Sequence, residues 1–104
     1  MKKIFVDDKR NLDEAIKSGY ICVQSYKNCI MLLSIYKKVE IINLDYDLGG
    51  QETRLDILIY MKGNNIEVKE IYIHSTHLEG VRKMEKYIKA NFKDVKYLYC
   101  PYSE

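Results

Sequence analysis

Val39-Glu40-Ile41-Ile42-Asn43-Leu44-Asp45-Tyr46-Asp47-Leu48-Gly49-Gly50 is a strand-like run that stops abruptly at two acids and two glycines. Four apolar residues in six positions, three of them β-branched, favour a strand, and the Gly pair breaks it. The same alternation continues on both sides. Upstream, Lys3–Val6 reads as a strand halted by Asp7-Asp8, and Tyr20–Val23 as another. Between them Asn11-Leu-Asp-Glu14 opens a helix that Gly19 ends after about two turns. Ser25 caps a longer helix with Tyr26, Cys29, Ile30, Leu33 and Tyr36 on one face. Downstream, Thr53 with Asp56 opens a helix whose Leu55, Leu58 and Ile59 share a face, and Gly63-Asn-Asn65 stops it. Glu70–Ile73 is the fourth strand, ending at His74-Ser75. Thr76 with Glu79 caps a helix that turns Val81, Met84, Ile88 and Phe92 inward, and Lys96–Tyr99 is the fifth strand.

Five strands alternating with helices predict an α/β fold with a parallel sheet. Right-handed crossovers make the flavodoxin-like order 2-1-3-4-5 the economical arrangement, here with a shortened first helix and no final helix. The 104 residues suffice for a single domain, 1–104, and no linker-like segment interrupts them. With 17 basic and 15 acidic residues, the net charge of +2 does not suggest duplex nucleic acid as a partner. The longest apolar run, Cys29 to Leu33, is far short of a membrane span, and Asp7 comes too early for a signal peptide. Cys22, Cys29 and Cys100 are widely spaced and odd in number, which predicts free thiols in a cytoplasmic protein.

In such sheets ligands sit beyond the carboxyl ends of the strands, near the switch between the first and third. Asp7 and Asp8 follow the first strand there, and Asp45 and Asp47 follow the third; His74 and Ser75 end the fourth. Carboxylates converging on one edge repel one another unless a cation stands among them, and oxygen donors suit Mg²⁺ or Mn²⁺. Asp7, Asp8 and Asp45 are the expected metal ligands. The plainer reading of each acid is a helix cap, and it weighs most for Asp47. His74 is suited to protonate a leaving oxygen, although a histidine satisfied by a neighbouring carbonyl is the bland alternative. Ser75 can offer its hydroxyl to a phosphoryl oxygen or cap a helix. Arg10 can clamp a phosphate or simply stand in solvent. Tyr46 can flank a nucleobase, and His77 is read as a surface residue.

These residues carry a family resemblance. Over nearly its whole length the chain resembles the receiver domains of two-component signalling, in which an acidic pair, an aspartate and a Ser or Thr end successive strands. Asp7-Asp8, Asp45 and Ser75 match in turn, but Cys100-Pro101-Tyr102 stands where a receiver has Lys-Pro-aromatic. The chain is more similar to a divergent branch, the cyclic-phosphate processing receiver-like domain. Asp7-Asp-Lys-Arg10, Leu44-Asp-Tyr-Asp-Leu-Gly49, His74-Ser75 and Gly80-Val-Arg-Lys-Met84 follow that family's pattern in order, while Thr76-His77-Leu78-Glu79 lacks its Asn-Pro. The resemblance implies metal-dependent hydrolysis of a cyclic phosphate or cyclic nucleotide. In that reading His74, Asp45 and Ser75 are catalytic, Arg10 and Asp47 contact a small phosphorylated ligand, and Mg²⁺ or Mn²⁺ is the cofactor. The alternative is a non-catalytic, receiver-derived binding or signalling module, since fold alone does not decide activity. With one helix short and one missing, apolar surface on the first and third strands is expected to lie partly open, which predicts a homodimer.

Overall fold

Ile4, Ile42 and Ile71 stand side by side on three adjacent strands, and Val6, Leu44 and Ile73 form the next row, all fully buried. These two rows are the floor of the core. The computed structural model describes residues 2–7, 13–44, 54–74 and 78–99, without the side chains of Glu14 and Arg54. In chain order the elements are β1 (Lys2–Val6), α1 (Asp13–Lys17), β2 (Tyr20–Val23), α2 (Tyr26–Ile35), β3 (Lys38–Leu44), α3 (Arg54–Gly63), β4 (Glu67–Ile73), α4 (Leu78–Asn91) and β5 (Lys96–Tyr99). The five strands are parallel and lie in the order β2-β1-β3-β4-β5. This is the flavodoxin-like arrangement expected from the alternation. No helix follows β5 among the described residues.

Three helices cover the floor. Cys29 and Leu33 of α2, Ile57, Leu58 and Met61 of α3, and Val81, Met84 and Ile88 of α4 join it in one apolar cluster. Ser25 caps α2 as its sequence predicts: its Oγ accepts from the Asn28 N–H at 3.1 Å. In α3 the inward face differs from the expected Leu55-Leu58-Ile59 stripe. Ile57, Leu58 and Met61 point inward, Leu55 is only half-buried and Ile59 is 46% exposed. The segment Leu55 to Met61 is apolar at every position but Asp56, so its periodicity has little contrast from which to read a face. α4 shows the opposite case, because charged residues separate Val81, Met84 and Ile88, and the predicted stripe is the observed one.

The other sheet face carries the alternate row Phe5, Asn43, Tyr72 and Leu98. Among the described helices it is the short α1 that packs on this side, beside β2. It ends at Gly19, whose φ of +89° is a conformation that side chains with a Cβ seldom take. Phe5, Asn43 and Tyr72 are half-buried, so this face of the first and third strands lies partly open. Aromatic rings provide partial cover: Tyr20 meets Phe5 edge-on with centroids 5.5 Å apart, and Lys3 Nζ stands 5.0 Å from the Tyr20 ring. Leu98, at the β5 end of this row, is 44% exposed, and a second group of exposed apolar side chains, Ile16, Met31 and Ile35 at 59, 56 and 69%, lies near the β2 edge. No helix among the described residues is long and apolar enough to cross a membrane.

Candidate functional site

Two of the predicted site residues continue the strands by one backbone hydrogen bond each. The Asp7 N–H, just past β1, donates to Val23 O at 3.1 Å, and the His74 N–H, just past β4, donates to Leu44 O at 2.8 Å. Each residue is thereby fixed at the carboxyl edge of the sheet before its side chain makes any contact. Alternation along the strands puts Asp7 on the face of Phe5 and His74 on the face of Tyr72, the face away from α2, α3 and α4.

There the side chains converge. His74 Nε2 lies 3.1 Å from Asp7 Oδ2, and His74 Nδ1 lies 2.5 Å from Asn43 Oδ1. The imidazole also stacks on Phe5, with centroids 4.7 Å apart and planes 22° from parallel. Asp7 is 0% and His74 5% exposed, and they are the buried charged or polar side chains of the described residues. Burying a carboxylate is costly unless charge or hydrogen bonds compensate, and the imidazole supplies one such contact. Both ring nitrogens are engaged, one with the side-chain carbonyl oxygen of Asn43 and one with the Asp7 carboxylate, so His74 is a satisfied, buried histidine in this arrangement.

The expected constellation is thus joined in one part. Asp7 and His74 meet; Asp8, Arg10, Asp45, Asp47 and Ser75 lie outside the described residues, as do Tyr46, His77 and Cys100. Leu44, which precedes Asp45 in the chain, pairs with Val6, which precedes Asp7. In donor chemistry Asp7 fits a hard divalent cation, since it offers carboxylate oxygen. Among the described residues no three His, Cys, Asp or Glu side chains are grouped to hold a metal. Asn43 and Phe5 are the members that sequence reasoning missed. Asparagine is a poor strand former, and its place between Ile42 and Leu44 was the available signal; an aromatic residue in β1 gives none.

A groove of about 600 Å³ lies away from this cluster, lined by Ile16, Cys22, Val23, Met31, Leu32 and Ile35 with Gln24 and Asn28. Among the described residues its lining has no charged side chain, and Cys22 is its one ionisable group, so its size does not make it the reactive site.

The cyclic-phosphate processing receiver domain matches the chain over residues 2–90, a span that includes both Asp7 and His74 and ends before β5. No curated protein and no solved structure matches it. With a buried acid and histidine meeting at the carboxyl edge of a 2-1-3-4-5 sheet, and the match running through four of its five strands, the chain belongs to the family of cyclic-phosphate processing receiver domains.

Proposed function

We propose that the protein hydrolyses a cyclic phosphodiester, such as a cyclic nucleotide, with Mg²⁺ or Mn²⁺ held by Asp7, Asp8 and Asp45. The observation that supports this reading is the wholly buried Asp7 carboxylate in contact with His74 at the strand ends. Ionisable groups held together out of water at such an edge are candidates for a functional site. The family supplies the substrate class. When bound, the cation polarises the phosphoryl group and lowers the pKa of coordinated water.

The chain's own residues have distinct tasks. Arg10 offsets the charge on the phosphoryl oxygens, while Ser75 and Asp47 orient the ligand. Asp45 is a metal ligand and, in a covalent variant of the reaction, the nucleophile. His74 delivers a proton to the departing oxygen as the ring opens. Its Nε2 contact with Asp7 must be exchanged for the substrate at that moment, so the resting bond orients Asp7 and the exchanged one serves the leaving group.

The test is direct. Protein with Mn²⁺ and a panel of 2′,3′- and 3′,5′-cyclic nucleotides should convert a cyclic phosphorus resonance to that of a monoester, and Asp45→Asn should not. If no cyclic substrate is opened while one binds in calorimetry, the non-catalytic binding module replaces this reading.

A further inference from the structure

We infer that Asn43 is a positioning residue of this site, anchoring one side of the His74 ring so that the other side meets Asp7. The consequence for cation binding rests on the function proposed above; the side-chain network does not. The two imidazole nitrogens flank one ring carbon and point in divergent directions within the ring plane, so fixing one aims the other. Phe5 fixes the plane of the ring by stacking, and Asn43 Oδ1 fixes its rotation within that plane at 2.5 Å from Nδ1. Nε2 is then directed at Asp7 Oδ2.

Nothing in β3 itself calls for an asparagine. Its neighbours Ile42 and Leu44 are fully buried on the opposite face, and a β-branched residue at this position would suit the strand better. The amide is explained by what it bonds. Groups that hold a metal's ligands are commonly held by a further ring of hydrogen bonds, and losing such a partner typically weakens metal affinity about 10- to 100-fold. Asn43 is two hydrogen bonds from Asp7, through His74, and belongs to that outer ring.

The experiment compares Asn43→Leu, which keeps the size and removes the oxygen, with Asn43→Asp, which keeps an acceptor in the same place. A His77→Gln background leaves His74 as the single histidine, and its ¹⁵N ring resonances report whether Nδ1 is a hydrogen-bonded N–H. The parent and Asn43→Asp should show that signature and Asn43→Leu should lose it. Mn²⁺ titrated calorimetrically should bind Asn43→Leu about 10- to 100-fold more weakly than the parent, and Asn43→Asp no more weakly than the parent. Asn43→Ser, whose hydroxyl is too short to reach the ring, repeats the comparison should the leucine variant not fold. Unchanged ring resonances together with unchanged Mn²⁺ affinity in a folded Asn43 variant would overturn the inference. If the parent itself binds no Mn²⁺, the cation reading fails, and the ring resonances alone decide the role of Asn43.

Discussion

Replacing His74 by alanine tests whether the Asp7–His74 contact is energetically coupled or only adjacent. The contact lies at 3.1 Å between side chains that are 0 and 5% exposed, so solvent screens it little. A hydrogen bond involving a charged partner contributes about 1.5–3 kcal/mol, and an aromatic stack such as that on Phe5 about 0.5–1.5 kcal/mol. His74→Ala should therefore cost roughly 2–4 kcal/mol, a large share of the 5–15 kcal/mol typical of a domain. For a chain of this size that corresponds to a fall in Tm of at least about 10 °C. Urea denaturation followed by circular dichroism measures it, and an unchanged slope would show that the unfolded state is the same. The decisive comparison is the double-mutant cycle with Asp7→Asn. In that background the carboxylate charge is gone, and His74→Ala should cost at least about 1 kcal/mol less than in the parent. A loss below about 1 kcal/mol in the parent, or the same loss in both backgrounds, would refute the coupled pair.

Three further outcomes follow from the sequence and structure. Mn²⁺ should raise the Tm of the parent in a concentration-dependent way, and Asp45→Asn should abolish that rise; an equal rise in both would remove Asp45 from the metal site. Burial pushes the Cys22 thiol above its ordinary value, so the thiolate forms later on the pH scale in the folded protein. In a Cys100→Ser background, alkylation at pH 8 should be slower than for an unfolded cysteine peptide and accelerate only as the pH rises past the usual thiol range; peptide-like rates would contradict this. Ile16, Met31 and Ile35 expose apolar surface around one groove, a second place, besides the first and third strands, where the expected homodimer would find cover. Sedimentation at high micromolar concentration should show a dimer that Ile35→Glu dissociates, and a monomeric parent would refute it.

How far the sequence could be read depended on contrast. β2 and β5 are found where their short apolar runs end in turn residues, and α4 shows its buried face because charges separate Val81, Met84 and Ile88. α3 hides its face, because apolar residues on either side of Ile57 and Leu58 make two stripes equally plausible on paper; packing against α2 and α4 decides between them. At the site, Asp7 and His74 were legible from topology alone, since both follow strands at the edge where ligands bind. Asn43 and Phe5 were not, because their roles exist only once three strands are aligned in register.

That register explains the composition of the cluster. β1 and β4 do not touch; β3 lies between them, so with about 4.8 Å between neighbouring strands Asp7 and His74 start from backbones roughly 10 Å apart. Their side chains can meet only by crossing the face of β3, and whatever residue β3 presents there stands beneath the imidazole. Its place is position 43, in the row joining Phe5 to Tyr72. An isoleucine or valine would set an apolar branch against Nδ1 and leave a buried polar atom without a partner, at a cost of about 1–3 kcal/mol. Asparagine gives that nitrogen an acceptor, and Phe5 gives the ring a surface to lie on. In this protein the acid and the histidine stand on non-adjacent strands, and the strand between them contributes a polar side chain long enough to reach the ring. That arrangement makes Asn43 the position at which a substitution, far from any change in Asp7 or His74 themselves, should separate the two.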